Sequence, residues 1–398
     1  MKTEASTPAL PEDFSLVLGG PLYQMYLRSR LVRPPVDLME RRIIAFIVLA
    51  WVPLLVLTVA GGQALSGATV PFLFDLDVHA RFLVALPLLI GAELIVHQRL
   101  RVTVSQFTDR GIIAPDDRPR FFGIIAAAMR LRNSAAIEVA LIVAAIALHW
   151  GWRESMALRV GSWYVAVGPQ GDESLTVAGW WYAFVSLSLF RLVLLRWYFR
   201  LAIWYVFLWR VSRLPLRLNP LHPDRTGGLG FIGTSVHAFT PVLVAHTVVL
   251  AGVIGSRILY EGMTLPAFQL EIVGAVVLLL VIVLAPLTCF ALTLARAKRE
   301  GARHYGLFAA RYVDEFREKW MRDRQPAGEP LVGSADIQSL ADLGNAYDVM
   351  REMRMLPFDR HAIVSLAIVV ALPYLPLLLT MMSLEALVSQ VLGKVLGW

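Results

Sequence analysis

Ile272-Val-Gly-Ala-Val-Val-Leu-Leu-Leu-Val-Ile-Val-Leu284 is the run on which the fold turns. It lies inside a stretch, 267–294, whose single charge is Glu271 near its start. A bilayer core is about 30 Å thick, and a helix rising about 1.5 Å per residue crosses it in about 20 residues. Backbone amides in lipid find no water to bind, so a spanning run of this kind is helical. Working outward, comparable runs occur near 43–63, 82–97, 134–152, 179–209, 236–258 and 362–382. The sequence therefore predicts an all-α, polytopic transmembrane helix bundle of about seven spans.

Composition agrees. The chain has 398 residues, 57% of them hydrophobic and 17% charged, where soluble domains run near 45–50% and about 25%. The mean hydropathy is +0.62. About 40 largely polar residues precede the first apolar run, unlike the short basic start of a cleavable signal. A net charge of +7 would raise nucleic acid for a soluble protein. In a membrane protein, excess Lys and Arg belong on cytoplasmic loops, and no nucleic-acid partner is expected. Cys289 is the one cysteine, so no internal disulfide or cysteine-based metal site forms. No cofactor is expected.

The basic residues alternate between connections. Arg28, Arg30, Arg33, Arg41 and Arg42 precede the first span, and Arg99 to Arg132 follow the second. Arg210, Arg213, Arg217 and Arg225 follow the fourth, and Arg296 to Arg360 precede the seventh. The intervening loops carry Asp75, Asp77 and Glu261 instead. The positive-inside rule then gives a bacterial inner-membrane protein with a cytoplasmic N-terminus and a periplasmic C-terminus. The organisation read from this is a cytoplasmic arm, 1–42, a bundle, 43–294, a cytoplasmic helical hairpin, 295–360, and a last span with an outer tail, 361–398. In the hairpin, Ala309, Val313, Phe316 and Trp320 form one stripe, and Ile337, Leu340, Tyr347 and Met350 another. Pro326 to Gly333 separates them, and Ser334 or Asp336 caps the second helix. Residues 162–167 and 174–177, flanking Gly168 to Asp172, predict a small periplasmic β-hairpin. The tail from Leu384 to Lys394 predicts an amphipathic surface helix.

His222-Pro-Asp-Arg-Thr-Gly-Gly-Leu-Gly-Phe231 and Gly333-Ser-Ala-Asp-Ile-Gln-Ser-Leu-Ala-Asp-Leu-Gly-Asn345 resemble segments of uncharacterised bacterial multi-pass inner-membrane proteins. The resemblance implies that localisation and brings no activity.

Charges within spans are the candidate functional residues, because each costs about 2.5–3.5 kcal/mol at a helix centre on insertion scales. Glu93 and Glu138 each fall about 9 Å inside the basic boundary, and Arg196, about 22 Å below Trp180 and Trp181, reaches nearly the same depth. These three are expected to meet, while Arg191, about 15 Å deep, faces a polar cavity. They either line a polar path or fix helix register as ion pairs. Midway along the fifth span, His246 is either a proton relay or a neutral hydrogen-bonding partner. In the glycine loop, Gly227, Gly228 and Gly230 with Arg217 and Arg225 make a candidate nest for an anion or lipid head group. The alternative is a turn capped by Asp224. His222 and Asp224 lack a third ligand nearby, so no metal site is assigned to them. Asp336, Gln338, Asp342 and Asn345 form a polar helix face for solvent or a partner. Gly252 and Gly255 permit a close helix approach, within the fold or between copies, and a homo-oligomer is expected.

No nucleophile, zinc-protease, kinase or haem signature is present, so the reading leans away from an enzyme. Two functions remain in front. One is a transporter or ion channel with an anion preference, drawn by midplane arginines. The other is a membrane-anchored scaffold or sensor whose hairpin binds a cytoplasmic protein or anionic lipid. A lipid-modifying enzyme using His222 and Asp224 is the third.

Overall fold

The computed structural model describes residues 14–28, 39–148, 162–167, 173–321, 330 and 334–381. The chain is an all-α bundle of α1 (Pro21–Arg28), α2 (Met39–Ala60), α3 (Leu76–Asp109), α4 (Arg118–Arg132), α5 (Ala135–Ala147), α6 (Val177–Val211), α7 (Gly230–Glu261), α8 (Leu265–Trp320), α9 (Ala335–Arg351) and α10 (Arg360–Thr380). Six of these, α2, α3, α6, α7, α8 and α10, are long and apolar enough to cross a membrane. The run read at 134–152 gives α5, 13 residues long and so about 20 Å; 149–152 lies outside the described residues. Its full crossing is therefore not part of the described fold.

Hydropathy windows clip the helices. α3 continues past Arg99 and Arg101 to Asp109, and Arg118 to Arg132 form α4, where the sequence reads a connecting loop. Arginine has good helix propensity, so basic residues carry a helix out of the apolar zone as readily as they end it.

Three helices form the centre. Half of the apolar window is buried in α3 and α7 (50%) and nearly so in α6 (44%), against 22–28% in α2, α8 and α10. The outer helices thus present Val273, Val277, Leu278 and Val281 outward, as lipid-facing helices do. Carbonyls of α2 and α3 accept side-chain donors from α6. Pro53 has no N–H for the Leu49 carbonyl, and the Trp181 indole N–H donates to it at 3.3 Å. Ser186 donates to the Ala50 carbonyl and Trp197 to that of Leu89. Side chains therefore stitch α6 to α2 and α3 where water is absent.

Gly252 is used within the chain. A Cβ there would stand 2.7 Å from the Ala80 Cβ and 3.1 Å from the Leu76 carbonyl oxygen, so only glycine lets α7 approach the start of α3 this closely. At the same end, β1 (Val165–Val167) and β2 (Glu173–Leu175) pair antiparallel in the register Val165–Leu175, Ala166–Ser174, Val167–Glu173. Their turn, 168–172, lies outside the described residues.

α8 runs on beyond the apolar section and packs against α9. Ser334 caps α9 by accepting from the Asp336 N–H at 3.1 Å. Asp336 in turn accepts from Lys319 at 2.7 Å and from the Trp320 indole at 3.0 Å. The connection 326–333, apart from Pro330, and the tail 384–394 lie outside the described residues.

Candidate functional site

At the arginine-rich end, two carboxylates enter the bundle interior and each is shared between elements. Glu93 on α3 receives Arg42 of α2 at 2.6 Å and Arg200 of α6 at 2.8 Å. Glu138 on α5 pairs with Arg196 of α6 at 3.8 Å and accepts the Leu22 N–H at 2.7 Å. All of these charged side chains are at least nine-tenths buried. The expected meeting of Glu138 with Arg196 is present. Glu93 takes Arg42 and Arg200 as its bonded partners instead. Arg200 also lies over the Trp197 ring, 4.7 Å from its centroid, which favours a cation.

The N-terminal arm joins this layer rather than remaining a polar appendage. Phe14, Ser15, Leu16 and Val17 are buried. Phe14 packs 4.8 Å from Phe207 and 5.9 Å from Trp204 on α6. The Ser15 hydroxyl lies 3.0 Å from His97 Nδ1, and its carbonyl accepts from Arg132. Phe14, Leu16 and Val17 form too short an apolar group for a span-length window to register. What places them is shape and polar complementarity, which sequence periodicity does not carry.

Arg191 lies elsewhere, in a layer towards the opposite end, within electrostatic range of Arg81 and Tyr182. Its Nη1 is buried without a hydrogen-bond partner among the described residues. Arg81 donates to both oxygens of Asp77 at 2.6 and 2.8 Å and rests over Phe190. Asp75 begins α3 as its N-cap, accepting from the Asp77 N–H at 3.2 Å and from the Trp163 indole at 2.9 Å. Burial, joined by the Asp77 carboxylate, pushes the Asp75 carboxyl up to about 6. Two widened π-type turns, Ala80–Ala85 and Tyr182–Ser186, stand side by side here, with Phe82 and Tyr182 in edge contact at 6.2 Å. Such turns concentrate at functional positions.

His246 is in neither layer. Its Nδ1 faces the Val242 carbonyl at 2.6 Å, and its Nε2 meets the Tyr198 hydroxyl of α6 at 2.7 Å. The carbonyl assigns the proton to Nδ1, so Nε2 accepts from Tyr198. This is the geometry of a neutral histidine joining two helices.

The glycine loop is a turn around its own aspartate. Asp224 accepts from the backbone N–H groups of Thr226 at 2.8 Å, Gly228 at 3.1 Å and Gly230 at 2.8 Å. Partial burial raises its carboxyl, but the bonds from Thr226, Gly230 and Gly228 prevail and hold it below the usual range. Gly227 and Gly228 sit at φ of 65° and 97°, the left-handed region that favours glycine. Of the three glycine amides proposed for an external anion, those of Gly228 and Gly230 thus serve an internal one, and an occupied Asp224 is poorly placed as a metal ligand or base. His222 lies 3.0 Å from Asp224; among the described residues no group of three or more potential ligands forms. Arg217, His222, Gly227 and Gly228 instead line a separate cavity of about 330 Å³ with Arg110. Arg225 pairs with Glu352 at 2.8 Å.

The same loop holds the base of the hairpin. Arg354 donates its N–H to the Arg225 carbonyl at 2.7 Å and its guanidinium to that of Asp224 at 3.0 Å. Lys298 on α8 donates to the Met353 carbonyl at 2.8 Å. The glycine loop thus meets the hairpin at Arg354, just beyond α9, the helix that carries the described part, 334–345, of the other stretch.

With helices of this length and apolarity, closed around buried ion pairs, the chain belongs to the class of multi-pass helical membrane proteins. Comparison with protein-family models, curated proteins and solved structures finds no match to it.

Proposed function

We propose that the chain is a membrane-anchored scaffold or sensor of a bacterial inner membrane, with its arginine-rich end in the cytoplasm and the α8–α9 hairpin as its working surface. One observation carries this reading. Where α8 has left the apolar section, among Arg299, Arg303 and Arg311, it still exposes Leu307 and Phe308, at 59% and 57%. Apolar side chains of that size, exposed together on a helix clasped at both ends, suit a protein contact. The clasps are Asp336 at the tip and Arg354 with Lys298 at the base. The buried charges then serve to hold the bundle on which the hairpin stands. Crosslinking in native membranes and co-purification tests the reading. A specific partner is expected on the wild-type protein and lost from L307S/F308S; an identical set of partners on both would contradict it.

A second reading, an anion-selective conductor, is favoured by Arg191, whose buried Nη1, near the middle of α6, has no hydrogen-bond partner among the described residues. It requires ion flux into proteoliposomes above that of empty liposomes, with selectivity changed by Arg191→Ala.

A further inference from the structure

A cavity of about 1040 Å³ opens between the C-terminal turns of α6, the 212–220 loop and α8 from Thr288 to Tyr305. It is at the upper end of the range for ligand sites, about 300–1,000 Å³. Its walls change character along its length. Tyr205 and Leu292 line the portion beside the apolar section, and Leu292 is 70% exposed. Arg213, Arg296 and His304 line the other portion, with Glu300 the one carboxylate among the described lining residues. Arg296 is the first charge after the long apolar run of α8, and Arg210 and Arg213 are the first after that of α6 beyond Arg200. The cavity therefore straddles the level at which both helices leave lipid. Arg213 lies over the Trp209 ring, 5.3 Å from its centroid, which fixes the guanidinium plane and leaves its edge to donate to an oxyanion.

We infer that this cavity binds an anionic phospholipid. The phosphate and charged head group lie between Arg213 and Arg296, and an acyl chain runs along Tyr205 and Leu292. A free phosphate would satisfy the arginines but leave the apolar portion bare, and a zwitterionic lipid would bring a second cation to a basic pocket. The site is separate from the glycine loop, where Asp224 takes the amides of Thr226, Gly228 and Gly230. It does not depend on the scaffold reading, only on the chain spanning a membrane.

The test uses the full-length protein purified in mild detergent, offered equimolar dioleoyl-phosphatidylglycerol and dioleoyl-phosphatidylcholine, with retained lipid counted by native mass spectrometry. Preferential retention of phosphatidylglycerol is expected, with the preference reduced about tenfold or more in R213Q/R296Q. R110Q/R217Q, which alters the neighbouring cavity, is expected to keep it. Equal retention of both lipids by the wild-type protein would overturn the assignment, as would an unchanged preference in R213Q/R296Q. Displacement of phosphatidylglycerol by millimolar inorganic phosphate would also overturn it, by marking a free-anion site. Should R213Q/R296Q fail to fold, the two wild-type arms still decide.

Discussion

Two layers of charge lie inside this bundle, built from the same residue types to different effect. At the arginine-rich end, each glutamate is shared between elements far apart in sequence: Glu93 joins α2, α3 and α6, and Glu138 joins α5, α6 and the N-terminal segment. Towards the opposite end the ion pair is local, Arg81 with Asp77 one helical turn away, and Asp75 holds an indole and a backbone amide. A carboxylate bridging helices becomes a condition of their assembly. One at a helix start, with no bonded cation among the described residues, becomes a group whose protonation follows the medium. Sequence separation between partners, not depth alone, distinguishes the two.

The largest effect that would sharpen this contrast is Glu93→Gln. It leaves Arg42 and Arg200 buried against a neutral amide, and breaking a buried pair in this way costs about 3–5 kcal/mol. Reversible unfolding in lipid nanodiscs should show that loss, and a change under 1 kcal/mol would make the layer incidental.

Asp75 gives the next. Its carboxyl is raised in the folded state, so the fold binds a proton that the unfolded chain has released between about pH 4 and 6. Its contribution is present in full below about pH 4 and lost as pH rises through about 6. Relative to the wild-type protein, Asp75→Asn should flatten that window; parallel profiles would remove Asp75 from the account.

Glu138→Ala should cost about 2 kcal/mol, less than Glu93→Gln, since its arginine is 3.8 Å away and the main loss is one charge-assisted bond to the Leu22 N–H. It should also release the N-terminal segment, seen as faster cleavage near residues 14–22 in limited proteolysis. The smallest effect belongs to Asp336→Ala. It should loosen the hairpin tip, with faster hydrogen exchange around Trp320 and unchanged unfolding of the bundle.

The long helices were legible in the sequence because lipid imposes one rule on every residue of a span. The depth argument placed Glu138 with Arg196, since a helix converts residue count into distance. It missed Arg42 and Arg200 as partners of Glu93. Arg42 at a helix entry is indistinguishable from an ordinary basic loop residue, and residue count does not say which way Arg200 faces on α6. Nothing in a hydropathy profile signals that Phe14 to Val17 enter the interior. The glycine loop was legible as a turn capped by Asp224, while which amides that carboxylate takes depends on how the loop folds back.

The most direct test of the staple account is a double-mutant cycle on Glu93 and Arg200, using Glu93→Gln, Arg200→Gln and the pair, read by unfolding in nanodiscs. The account expects a coupling energy of about 1–3 kcal/mol, with the double variant much less damaged than the sum of the singles. Additive effects, with coupling near zero, would mean that these charges do not hold the helices together.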